Sequence, residues 1–144
     1  MSRIAIPETM KAMVLTGHGD VDKLEYREDV PTPEPGPGQV LVKVTATAKN
    51  NTDRKAREGL YPTKEKGDVT SFAMGGEPTL TFPRIQGADI VGQVVAVGEG
   101  VDDARIGERG LLDFNLYADE RRDINLTPDY YGHGADGGFA DYVA

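Results

Sequence analysis

The 144-residue sequence has no cysteine, no tryptophan and only two histidines, His18 and His133. Without cysteine there is no disulfide and no thiolate metal site, structural zinc included. No apolar run approaches the ~20 residues that a membrane-spanning helix needs. The opening "MSRIAIPETMKAM" lacks the continuous apolar centre of a signal peptide. Basic charge is also scarce. Sixteen Lys and Arg stand against 24 acidic residues, a formal charge of −8 with no basic cluster. Such a chain repels phosphate backbones, so neither a nucleic acid nor a membrane is an expected partner. Two glycosylation-like triplets, at Asn50 and Asn125, are chance matches when no secretory signal accompanies them. The expected location is cytoplasmic, and the expected partner a small molecule.

Glycine and proline, by contrast, are plentiful at 18 and 9, which favours short strands and turns over long helices. The length suits one domain with a real core. "KAMVLTG" and "KLEYRED" read as two strands joined by the turn Gly17–Asp20, a hairpin. Prolines 31, 33, 35 and 37 then impose a rigid, extended loop. In "QVLVKVTATA", Val40, Val42, Val44 and Ala46 fall on one face, as in a half-buried strand. "NNTDRKAREG" reads as up to two turns of helix. Asn51 or Thr52 would cap it, Asp53 would sit at its positive end, and Gly59 would end it. Residues 60–81 and 115–137 show no period and read as long loops. Between them, "FPRIQGADIVGQVVAVGEGV" is a strand and turn; Gly92 inside it marks a bulge or a close backbone approach. A return segment, "VDDARIGERGLLDF", and a final strand at "GFADYVA" complete a mainly β fold with short helices, a partly open and largely antiparallel barrel. Gly132-His133-Gly134-Ala135-Asp136-Gly137 satisfies the dinucleotide pattern G-x-G-x-x-G. It precedes a strand rather than opening a helix, so it reads as a glycine-rich turn. His18 and His133 read as solvated turn residues.

Four segments in register, "GPGQVLVKVTATAKNNTD", "FPRIQGADIVGQVVAVGEGV", "IGERG" and "DGGFADYVA", resemble the N-terminal GroES-like domain of the medium-chain dehydrogenase/reductase superfamily. That superfamily contains the zinc alcohol dehydrogenases and the zinc-free quinone oxidoreductases, and the likeness runs from about residue 10 to 144. It implies a GroES-like, partly open β-barrel over residues 1–144 that forms the N-terminal catalytic portion of a longer enzyme. The Rossmann cofactor domain would lie outside this chain, so the isolated fragment is expected to be inactive. The cofactor implied is NADPH or NADH, held mainly by that other domain.

The same resemblance assigns residues. Zinc relatives place a cysteine ligand at the position of Asn50 and a histidine ligand at that of Ala88. Asparagine here, with Gly87-Ala88-Asp89, resembles the zinc-free pattern instead, which implies no metal. Asn50 is then a donor to a carbonyl oxygen or a cofactor ribose, or alternatively an asparagine that fixes the turn before the helix. Thr52 falls where relatives hold a hydroxyl for proton relay, with helix capping as its other reading. Asn51 falls where relatives contact cofactor phosphates. Tyr61 and Asp89 fall near the substrate pocket, with loop packing and a strand-end carboxylate as their structural alternatives. Asp53, which in zinc relatives supports the histidine ligand, reads here as a helix-start charge. The function implied is hydride transfer to a quinone, an activated alkene or a carbonyl, in an expected homo-oligomer. Two other readings stand beside it: a binding or assembly module without chemistry, and a zinc-type alcohol dehydrogenase relative with a degenerate metal site.

Overall fold

The computed structural model describes residues 5–61, 80–117 and 129–144. Most of the loop expected over 60–81, and residues 118–128 of the second loop, lie outside the described residues. Strand β1 (Thr9–Leu15) pairs antiparallel with β2 (Leu24–Pro31), closing at Leu15 opposite Leu24, so the expected hairpin is present. Its turn is stiffened by Asp20, whose carboxylate accepts the Val21 N–H at 2.8 Å and opens a single 3-10 turn. On its other edge β1 carries β4 (Arg84–Ile85).

Strand β3 (Val40–Ala48) is the centre of a second sheet. It pairs with β5 (Asp89–Val97) along most of its length and with β9 (Tyr142–Val143) on its other side. Strand β6 (Arg109–Leu111) returns along the outer edge of β5. A two-stranded ribbon, β7 (Asn115–Leu116) and β8 (Asp129–Tyr130), completes the described strands. The three sheets are antiparallel and do not close on one another, in keeping with the open, mainly β architecture expected from the sequence. No helix among the described residues is long and apolar enough to cross a membrane.

Two apolar clusters hold these strands together. One gathers Met10, Ala12, Val14, Leu41, Ile85 and Tyr142; the other gathers Val42, Ile90, Val94 and Val143. Each fully buried aliphatic side chain contributes about 1.5–3 kcal/mol, so these few residues supply much of the driving force. Strand β3 departs from the simple alternation expected of it. Register shifts between Leu41 and Val42 and between Val44 and Ala46 place Leu41 in one cluster and Val42 in the other, while Thr45 to Ala48 are exposed. The second shift lies opposite Gly92. A Cβ at Gly92 would strike the Val42 side chain and the Lys43 carbonyl, so both the bulge and the close approach read from the sequence occur at this one crossing.

Candidate functional site

The site grows from the start of helix α1 (Asn51–Arg57). "NNT" offers three side chains able to cap a helix. The backbone selects Asn50, which is extended (φ −101°, ψ 149°) and immediately precedes the first helical residue. The expected caps, Asn51 and Thr52, are instead the first two helical residues. The Oδ1 atom of Asn50 accepts the Thr52 N–H at 3.0 Å, and the Asn50 N–H donates to Asp53 Oδ2 at 2.9 Å, a reciprocal capping box. Gly59, at φ +70°, ends the helix in the left-handed region where glycine is unstrained.

Asp53 is more than a helix-start charge. It is buried, and its second oxygen accepts the Gly87 N–H at 3.1 Å from the turn that carries Ala88 and Asp89. Its backbone carbonyl accepts the Gln86 side-chain amide at 2.8 Å. One residue therefore clamps helix α1 to the β4–β5 turn. Burial pushes the Asp53 carboxyl above its ordinary range, against the opposing pull of the Asn50 and Gly87 backbone donors.

That clamp brings Asn50 and Asp89 together. The Asn50 Nδ2 donates to Asp89 Oδ2 at 3.1 Å, so the carboxamide is held at both ends: its oxygen by Thr52, one N–H by Asp89. Among the described residues its second N–H has no partner. Asp89, half-buried at the start of β5, is itself held where the Thr47 hydroxyl donates to its backbone carbonyl at 2.8 Å. Asn50 lines a hollow of about 160 Å³ together with Thr52, Ala88, Phe114 and Tyr130. Neither Asp89 nor Tyr61 is among those five residues. Asp89 reaches the hollow through Asn50, and Tyr61 through Thr52, to whose Oγ1 its hydroxyl donates at 3.3 Å. Asn51 lies outside this hollow. It is exposed, its Oδ1 accepts two N–H groups of Arg54, and with Lys49 and Arg54 it borders a wider depression of about 570 Å³.

Phe114 and Tyr130 were not singled out by the sequence. The β7–β8 ribbon delivers them: Asn115 pairs with Tyr130, and the Tyr131 N–H donates to the Phe114 carbonyl at 3.0 Å, so the two rings arrive at one place from opposite ends of a polar loop. His133 corrects its sequence reading. It is buried rather than solvated, its Nδ1 lies 2.9 Å from Asp129 Oδ1, and its ring stacks on Tyr130 with centroids 4.9 Å apart. The spacing Asp129-x-x-x-His133 was the signal available for this pair. Burial raises the Tyr130 hydroxyl well above the ordinary phenol range, and the neighbouring Tyr61, Asp53 and Asp129 add to it, so it stays a neutral phenol. His18 is exposed, as expected, although its Nδ1 lies 3.1 Å from the Ala56 carbonyl near the end of α1.

The glycine-rich run 132–138 also has a physical reason. The Gly137, Gly138 and Phe139 N–H groups donate to the Ile85, Gly87 and Gln86 carbonyls, at 2.8, 2.8 and 2.9 Å. A Cβ at Gly132 or Gly137 would collide with the Gln86–Gly87 backbone. The glycines let one chain pass tightly over another at the β4–β5 turn, and no helix opens there to receive a phosphate, in agreement with the sequence reading.

Residues 36–144 match the family described as the alcohol dehydrogenase GroES-like domain. This chain belongs to that family. The GroES-like domain is 42% identical over 105 residues to the synaptic vesicle membrane protein VAT-1 homolog of Rattus norvegicus, covering 72% of this chain and 22% of that one. It is 34% identical over 104 residues to the chloroplastic NADPH-dependent alkenal/one oxidoreductase of Arabidopsis thaliana, covering 72% and 23%. A crystal structure from Sinorhizobium meliloti 1021, provisionally named as an alcohol dehydrogenase, superposes with a TM-score of 0.81 at 52% identity and covers 96% of this chain and 38% of its own. The GroES-like domain thus spans about a quarter of the curated relatives it matches and two fifths of the solved one.

The donor set decides what a metal would find here. At the two positions where the resemblance puts metal ligands stand a carboxamide, whose oxygen already accepts the Thr52 N–H, and a methyl group. Among the described residues no three His, Cys, Asp or Glu side chains are grouped closely enough to hold an ion. The described residues at these positions do not fit a catalytic zinc.

Proposed function

We propose that this domain forms the substrate-side wall of a zinc-independent, NAD(P)H-dependent oxidoreductase that reduces an activated alkene, a quinone or a carbonyl by hydride transfer. The observation that carries the reading is the Asn50 carboxamide, fixed by Thr52 and Asp89 with one N–H to spare, on the wall of a hollow beside the Ala88 methyl. An N–H held in advance at that spot suits the negative charge that grows on a carbonyl or quinone oxygen as hydride arrives, work that a metal does in zinc enzymes. Asp89 orients the amide. The Thr52 and Tyr61 hydroxyls, 3.3 Å apart, form a short path for the proton that balances the hydride. Bound NADPH or NADH would supply that hydride. On this chain Asn51, Lys49 and Arg54 offer the N–H groups and positive charge that suit its phosphates, at the border of the wider depression. The naming of the Arabidopsis relative as an NADPH-dependent alkenal/one oxidoreductase supports the enone as substrate class.

The test is NADPH and NADH oxidation by the full-length protein with enones, quinones and aldehydes, before and after exhaustive dialysis against chelator. Turnover unchanged by chelation is expected. Activity lost on chelation and restored by zinc would sink the metal-free reading.

Self-association is part of the same reading. Strand β6 ends its sheet with one edge unpaired among the described strands, and it carries Leu111, 74% exposed, next to exposed Val91. Such an edge invites a second strand. Light scattering is expected to give a mass above that of one chain, and Leu111→Lys to lower it; a monomer at millimolar concentration would contradict this. A cytoplasmic location stays with the reading from the sequence, while the relatives' names point to a chloroplast and to a vesicle membrane.

A further inference from the structure

We infer that the space beside the Ala88 methyl is a size-limited subsite that takes a single-ring or short-chain conjugated ketone and rejects fused two-ring compounds. The inference rests on the redox reading above and narrows its substrate class. The hollow measures about 160 Å³. An apolar cavity of about 150 Å³ is the size that takes one benzene ring. Its depth is set by two side chains that have nowhere to go: Ala88 and Tyr130 are 4% and 2% exposed. Tyr130 is further fixed by the stack on His133, which Asp129 holds in turn. Phe114, 47% exposed, stands at the outer side and is the one aromatic wall able to move. The polar groups, Asn50 and Thr52, share the same small space. A carbonyl oxygen that meets the Asn50 N–H therefore brings its conjugated carbons against Ala88 and the two rings. A side chain at position 88 larger than methyl would occupy the volume that the ligand needs. Residue 88 and Phe114 thus set substrate size, whereas Asn50 sets where the oxygen sits.

The experiment compares cyclohex-2-enone with a fused bicyclic enone in NAD(P)H oxidation by the full-length protein, and reads the ratio of their kcat/KM values in each variant, so that intrinsic reactivity cancels. Adding or removing a methylene in an apolar pocket changes kcat/KM by roughly 10–200-fold. Phe114→Ala, a change at an exposed residue, is expected to move the ratio at least tenfold toward the bicyclic enone. Ala88→Leu is expected to lower kcat/KM for cyclohexenone at least tenfold, with its folding checked by circular dichroism. In parallel, without reduced cofactor, cyclohexanone and a decalone are titrated while the Ala88 methyl resonance is followed by NMR. Cyclohexanone is expected to shift it and decalone to leave it. An unmoved ratio in Phe114→Ala, or equal shifts with both ketones, overturns the subsite. No turnover of any enone, with the cyclohexanone shift intact and the decalone shift absent, leaves the subsite standing and removes the redox reading instead.

Discussion

Asp53→Ala is expected to lower the unfolding free energy by at least about 1–3 kcal/mol, the cost of leaving one buried backbone N–H unpaired, because the buried Gly87 N–H and the part-buried Asn50 N–H both lose their acceptor. The donors are Asn50 and Gly87, on the two walls of the site. Typical domains hold only about 5–15 kcal/mol in total, so the variant stands near the unfolding threshold. Urea denaturation reads the loss. Asp53→Asn is the informative partner, since a carboxamide keeps one acceptor oxygen and surrenders the other. It also removes a titration. Burial raises the Asp53 pKa above its ordinary 3.8, so over a window above that value the folded state binds more proton than the unfolded one. The stability that Asp53 contributes is therefore complete below 3.8 and is lost as pH rises through its folded value. The advantage of the natural domain over Asp53→Asn is expected to be largest in acid and to shrink as pH rises through that window. An advantage that grew with pH would mean that the backbone donors outweigh burial, and would reverse the assignment.

How far the sequence reaches is clearest along this same clamp. The β1–β2 hairpin, the β3 strand and the short helix were legible because each is a local matter: turn residues, alternation, a cap signal followed by a glycine. The identity of the cap was not. Asn50, Asn51 and Thr52 are nearly equal in capping strength, and the choice falls to the backbone entering from β3. Leu41 escaped the alternation because a bulge moves it to the opposite cluster, and bulges leave little trace in hydropathy. His133 looked solvated because it lies among glycines. Those glycines serve tight backbone passage, and it is that passage which buries the ring. Gln86 gave no signal at all: a polar residue in an apolar run becomes intelligible only once its amide is seen on the Asp53 carbonyl. Asn50 and Ala88 were legible as a pair only through the family resemblance. What the fold adds is the partner that holds the asparagine, Asp89, which the sequence left between a strand-end charge and a pocket residue.

Asn50→Ser separates the two tasks of this asparagine. Serine caps a helix about as well as asparagine, whereas alanine loses about 1 kcal/mol there. The serine variant should therefore keep α1 and lose only the carboxamide N–H groups, one of which Asp89 accepts at 3.1 Å. If the remaining N–H meets a developing oxyanion, kcat falls by about 10²–10³-fold, the usual loss for one such donor. An interaction made only in the transition state leaves KM nearly unchanged, and that split distinguishes it from simple loss of binding. Asn50→Ala should show the same fall in kcat and, in addition, the cap penalty in urea. The two variants thus agree in catalysis and differ in stability. The opposite pattern, a serine variant with near-natural kcat and an alanine variant impaired in proportion to its lost stability, would reduce Asn50 to a helix cap. Asn50→Asp sharpens the choice further. It keeps the cap and the shape, yet sets a carboxylate within hydrogen-bond distance of Asp89 where an amide donor stood. A carboxylate there offers no N–H to a developing oxyanion and repels its charge, so this variant is expected to lose at least as much kcat as Asn50→Ser in the same steady-state assay.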